Sequence, residues 1–111
     1  MFKKSNRLSK SEFSEYFRTG NKKHFPHLTI IRSKEEEKTK VSVVVGKKVA
    51  KSAVRRNTLR RRVYAVLKKL DTPTNPLGVL IVVLKPSFNS LTRKTAEEFV
   101  QESIAEVMKG A

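Results

Sequence analysis

The spacing of apolar positions along this chain changes several times, and each change marks an element. Ser9 followed by Glu12 has the spacing of a capping box, after which Phe13, Tyr16 and Phe17 recur at helical steps until Gly20 offers a stop. This predicts a short first helix. From His27 to Arg32 and from Val41 to Val45 β-branched residues dominate, with a charged Lys34 to Lys40 stretch between them that cannot be core. These two runs are predicted to form a hairpin. A further short strand around Lys22 to Phe25 is interrupted by Pro26, which would confine it to an edge. Gly46 ends the second clear strand, and a helix is predicted from about Ser52 to Leu70, where Leu59, Val63, Val66, Leu67 and Leu70 repeat at three- and four-residue steps. The polar stretch Asp71 to Pro76 carries two prolines and must end that helix before Leu77 to Leu84, which reads as a buried strand closed by Lys85 and Pro86. Thr92 is the predicted cap of a last helix with Ala96, Phe99, Val100, Ile104, Val107 and Met108 on its apolar stripe. Glu97, Glu98, Glu102 and Glu106 take its solvent side.

The whole reads as one α+β unit. A chain of 111 residues without repeat, low-complexity tract or linker is expected to form a single domain over 1–111. Charge changes this picture more than composition does. The formal net charge is +15, and its natural partner is a polyanion, because phosphate backbones release condensed counterions when lysines and arginines replace them. The excess is concentrated. From Val41 through Leu70 there is no acidic residue, while Lys47, Lys48, Lys51, Arg55, Arg56, Arg60, Arg61, Arg62, Lys68 and Lys69 all fall there. At about 100° per residue, Arg56, Asn57, Arg60, Arg61, Tyr64 and Lys68 share one flank of the long helix, and Arg55, Arg62 and Lys69 line the other. A merely solvated face would interleave acids at i+4 to relieve like-charge repulsion, and this one has none. Asn57 within the stripe suits hydrogen bonding to backbone or sugar oxygens.

Other classes are disfavoured. With no cysteine there is no disulfide framework, thiolate zinc site or cysteine nucleophile. The basic stretch Met1 to Lys10 is not followed by the apolar run of a secretory signal, and the apolar run Leu77 to Leu84 is far short of the roughly 20 residues that span a bilayer as a helix. A cytoplasmic protein without membrane association is expected. His24 and His27 lack an identifiable third metal ligand, and Glu35 to Glu37 read as a solvated turn. No acid–base pair or converging carboxylates can be assembled, so no catalytic residue, no metal ligand and no organic cofactor are assigned.

The run Gly46-Lys47-Lys48-Val49-Ala50-Lys51-Ser52-Ala53-Val54-Arg55-Arg56-Asn57-Thr58-Leu59-Arg60-Arg61 closely resembles the signature of the bacterial ribonuclease P protein family: an Arg-Asn, two spacers and a basic pair, preceded by a β-rich stretch ending in Gly-Lys-Lys. Chain length and element order agree with that family over nearly the whole chain. The resemblance implies a four-stranded sheet with three helices in the order α-β-β-β-α-β-α, with a left-handed β-α-β crossover. Periodicity could not have given that hand, since about 98% of such crossovers are right-handed.

For function, the resemblance implies a protein subunit that binds a large catalytic RNA and assists its magnesium-dependent removal of 5′ leaders from precursor tRNA. Chemistry and Mg2+ would then be held mainly by the RNA, with no obligate protein partner. By position, Arg56, Asn57, Arg60 and Arg61 match the helix that faces the catalytic RNA, and Lys47 and Lys48 match the basic pair preceding it. Lys51, Arg55, Arg62 and Lys68 join them as candidate RNA-binding residues. Phe13 and Phe17 resemble aromatics bordering a cleft for the single-stranded leader, where bases stack on rings and cations track phosphates. The plain alternative for both rings is core packing. The chain departs from the signature at Tyr64, where another basic residue is usual, and at Arg55, where an apolar residue is usual. Tyr64 is left to stack or hydrogen-bond. Two other readings stay open on the residues alone: a structural RNA-binding protein of ribosomal type, and an independent protein nuclease.

Overall fold

The computed structural model describes residues 7–33, 39–74 and 76–109. Helix α1 spans Lys10–Thr19 and opens with the predicted capping box, in which the Glu12 N–H donates to Ser9 Oγ at 3.2 Å and the Ser9 N–H donates to Glu12 Oε1 at 2.9 Å. It stops at Gly20. The backbone there is extended, and glycine is required by space, since a Cβ would lie 2.7 Å from Ile31 Cγ2 and 2.8 Å from the Tyr16 carbonyl oxygen.

Strands β1 (Asn21–His24), β2 (Leu28–Ser33), β3 (Lys40–Val44) and β4 (Val79–Leu84) form one four-stranded mixed sheet in the order β1-β2-β4-β3. The true hairpin is β1 with β2, antiparallel from Asn21 opposite Arg32 to His24 opposite Thr29. The expected hairpin of β2 with β3 is therefore wrong. Strand β4 lies between them, antiparallel to β2 and parallel to β3. The reason is burial: β4, Val-Leu-Ile-Val-Val-Leu, is apolar on both faces and needs a neighbour on each side, whereas β3 alternates buried and half-buried positions and carries Lys40 and Ser42, which suits an edge. The Glu35 to Glu37 turn lies outside the described residues.

Parallel neighbours need a long crossover. Helix α2 (Ala53–Leu70) supplies it between β3 and β4, and Asp71 fixes its exit by accepting from the Thr39 hydroxyl at 2.6 Å and the Leu77 N–H at 3.0 Å. Gly78, at φ 73°, then turns the chain into β4. A 3-10 segment, Pro86–Ser90, follows β4 and was not foreseen; it leads to α3 (Arg93–Lys109), capped by Thr92, whose Oγ1 accepts from the Thr95 N–H at 3.2 Å.

The sheet separates two apolar clusters. On one face Leu59, Val63 and Leu67 of α2 and Val100 and Ile104 of α3 pack with Leu28, Ile30, Val41, Val43, Leu80 and Val82. On the other, Tyr16 of α1 packs with Ile31, Val79 and Ile81, joined by Leu8, Phe13, Val44 and Val83. Of the buried stripe predicted for α2, Leu59, Val63, Val66 and Leu67 are buried and Leu70 half-buried, while Tyr64, read as part of the basic flank, is buried as well.

Candidate nucleic-acid interface

The turn before α2 is held from beneath. Val49 and Ala50 are buried, and their N–H groups donate to the Gly46 carbonyl at 3.1 and 3.4 Å, while Lys47, Lys48 and Lys51 remain exposed. Two buried residues thereby present three cations. Ser52 caps the helix by accepting from the Arg55 N–H at 3.3 Å. The first turn contains no acid, so the positive end of the helix dipole adds to the lysines instead of being offset.

The signature residues divide their labour. Arg56 Nη1 donates to the Ala50 carbonyl at 3.0 Å and the Lys51 carbonyl at 2.8 Å, so this guanidinium clamps the lysine turn onto the helix. Asn57 Oδ1 accepts from Arg60 Nη1 at 2.6 Å and aims that side chain. Arg61 is exposed beside them. Asn57, Arg60 and Arg61 line an open concavity of about 360 Å3 together with Tyr64 and Arg7. Lys68 is exposed near the end of the same helix.

Tyr64, one of the two departures from the signature, is buried with 7% of its surface exposed. Its hydroxyl oxygen accepts from the Val43 N–H of edge strand β3 at 3.1 Å, and the Arg7 guanidinium lies 5.5 Å from its ring centroid. The residue anchors α2 to the sheet. Arg55, the other departure, faces away from the concavity: its Nε donates to Asn89 Oδ1 of the 3-10 segment at 2.8 Å. Arg62 borders an apolar recess with Leu59, Val63, Phe88 and Val100, on the side of α3. Both were candidates for RNA binding, and neither joins Arg60 and Arg61.

Phe13 and Phe17 stack on α1, their centroids 5.5 Å apart and their planes 29° from parallel. The two rings differ in burial. Phe13 is half-buried against the second cluster, whereas Phe17 is 39% exposed with the Lys22 ammonium 4.7 Å from its centroid. Beyond α1, Val44 and Val83 are only half-buried on this face of the sheet. Strand β3 joins the two regions, since its edge receives Tyr64 and an isolated bridge from Arg7 to Val41, while Lys40 pairs with Glu12 of α1. That pairing, with the Ser9 hydrogen bonds, lowers the Glu12 carboxyl from 4.5 to about 2.

His24 Nδ1 lies 3.0 Å from Thr29 Oγ1 and His27 Nδ1 lies 2.8 Å from Ser87 Oγ. Among the described residues no group of three or more His, Cys, Asp or Glu is placed to hold a metal ion. No helix among them is long and apolar enough to cross a membrane. Sequence reasoning missed Arg7, whose only signal was its charge, and Asn89 and Asp71, which gave none.

Compared with known proteins, residues 2–108 match the family model described as Ribonuclease P. The ribonuclease P protein component of Phytoplasma australiense is 32% identical over 84 residues, 74% of this chain and 72% of the relative. Among solved structures, the RNase P protein of Staphylococcus aureus superposes with a TM-score of 0.79 at 19% identity, covering 96% of this chain and 97% of that one. That of Thermotoga maritima gives 0.74 at 20% identity, covering 88% and 94%.

Proposed function

The chain belongs to the ribonuclease P protein family, and from that membership we infer how it serves a particle whose work is tRNA processing. As a ribonuclease P protein component it associates with ribonuclease P RNA. The surface we assign to that RNA is the flank of α2 carrying Asn57, Arg60 and Arg61, continued by Lys47, Lys48 and Lys51. The observation that carries the assignment is the concavity: Arg7, Arg60 and Arg61 converge on it, and none of its lining residues among those described is acidic. Guanidinium groups fork naturally onto phosphate oxygens, and an RNA backbone would remove the repulsion this surface tolerates.

The second surface is the α1 face. Phe17, 39% exposed, and Lys22 beside it offer apolar surface and a charge to a single strand, which suits the 5′ leader of precursor tRNA. Phe13 supports it from the core side. The chain then touches catalytic RNA and substrate at once, lowering the repulsion between two polyanions. The described side chains do not fit a magnesium ion, and no step is assigned to the metal through the protein. Magnesium and the hydrolytic chemistry belong to the RNA in this reading.

The test is cleavage of a 5′-extended precursor tRNA by a bacterial ribonuclease P RNA at limiting magnesium, with and without the protein. Strong stimulation yielding the mature 5′ end is expected. Absence of stimulation by folded, RNA-bound protein would overturn the subunit role, and cleavage by protein without any RNA subunit would overturn the assignment of chemistry.

A further inference from the structure

We propose that Arg7 is a phosphate-binding residue of the RNA-facing surface, delivered by the segment before α1 and laid over the Tyr64 ring so that Arg7, Arg60 and Arg61 grip one stretch of backbone. This rests on the RNA-binding reading above. Three observations carry it. The bridge between Arg7 and Val41 fixes the Arg7 backbone beside the edge of β3, so its position is set by the sheet and not by a free chain end. The guanidinium stacks 5.5 Å from the Tyr64 centroid, and the hydrogen bond from Val43 to the Tyr64 hydroxyl holds that ring in turn. The residue is exposed, and it lines the concavity of about 360 Å3 together with Arg60 and Arg61 of α2.

The chemistry of the occupant follows from the lining. Among the described residues, the groups that face the space are guanidiniums and the amide of Asn57, with no carboxylate, so a backbone anion fits and a cation does not. Because Arg7 lies over the Tyr64 ring, a base has poor access to that ring for stacking, and a guanidinium is the group that forks onto phosphate oxygens. The side chain of Tyr64 brings no charge of its own to this flank. It supplies a platform on which a charge from another segment is seated.

The experiment measures the affinity of the full chain for a bacterial ribonuclease P RNA as a function of salt, for the wild type, Arg7→Ala, Arg7→Lys and the exposed control Lys94→Ala on α3. Arg7→Ala should bind about tenfold more weakly, as expected for a lost charge-assisted contact, and its salt slope should fall by about 0.7 to 0.9, one counterion fewer. Its thermal midpoint should stay close to wild type. Arg7→Lys should keep the slope but lose affinity, since an ammonium neither lies flat on the ring nor forks to a phosphate. In a Tyr64→Leu background the effect of Arg7→Ala should shrink, because the platform is gone. An Arg7→Ala protein with wild-type affinity and slope would overturn the proposal while leaving the family reading intact. A wild-type chain that fails to bind the RNA would overturn both. A loss of affinity at unchanged slope, matched by a lowered midpoint, would assign Arg7 a structural role and also overturn it.

Discussion

Arg56 and Arg61 sit on the same helix and use identical side chains for different ends. Arg56 spends its donors on the Ala50 and Lys51 carbonyls and so positions Lys47 and Lys48, whereas Arg61 is exposed beside the concavity. Their variants should separate. Arg56→Ala should cost about 1 kcal/mol of stability, because the carbonyl of buried Ala50 loses its donor, and Arg56→Lys should restore the salt slope of RNA binding without restoring that stability. Arg61→Ala should leave stability within about 0.5 kcal/mol, as for an ordinary surface site, and lower the slope by about 0.7 to 0.9. Thermal melts and salt titrations on the same samples decide it. Equal loss of stability in both variants would refute the division of roles.

Among the elements, α2 carries two patterns that do not interfere. Leu59, Val63 and Leu67 are 2% exposed or less and hold the helix on the sheet, so on the flank with Arg60 and Arg61 only Tyr64 carries a packing duty. Strand β3 has a comparable double role. Its inward residues enter the main core, its edge meets Tyr64, and Lys40 ties it to Glu12 at the start of α1. The Glu12 carboxyl is held at about 2 against an ordinary 4.5, chiefly by the hydrogen bond from Lys40 and then by those from Ser9. A lowered pKa stabilises the fold fully above pH 4.5, and that contribution fades as pH falls toward 2. Glu12→Gln should therefore be less stable than the wild type by a constant amount above pH 4.5, with the gap closing below it. Denaturant melts of both proteins across acid pH would show this, and a gap unchanged down to pH 2 would mean that the loss does not depend on the charge of the carboxylate.

At the scale of the molecule, a net charge of +15 on 111 residues sets a general self-repulsion that the fold must carry. Only three ion pairs are found among the described residues, and two of them, Lys23 with Glu106 and Arg93 with Glu97, are largely exposed. Raising salt from about 10 to 300 mM shortens the Debye length from roughly 30 Å to under 8 Å. The thermal midpoint of the free protein is expected to rise over that interval, and more steeply with phosphate than with chloride. A flat or falling midpoint would mean that the compact state carries no repulsion worth relieving. The same excess predicts that RNA binding weakens steeply with salt over the whole surface, beyond what any single arginine contributes.

The sequence by itself determined the helices and strands, most of the buried stripes of α2 and α3 and the concentration of charge on α2, because hydrophobic period and like-charge runs are local properties; it did not show that Phe17 is exposed or that Tyr64 is buried. The capping box at Ser9, the helix from Ser52 to Leu70 and the cap at Thr92 were all legible for that reason. The resemblance carried by Arg56, Asn57, Arg60 and Arg61 placed the chain in its family before any coordinates. Tertiary structure alone decided which strands are neighbours. Adjacent strands in sequence read as a hairpin, yet β4, arriving after α2, has the more apolar faces and displaces that pairing. It also decided which charges meet. Arg7 reaches the concavity through the sheet edge, while Arg55 and Arg62, on the helix itself, turn toward Asn89 and the recess beside α3. Residues distant in the chain become partners only when the sheet order is fixed, and that order is set by competition for burial, which no local pattern records.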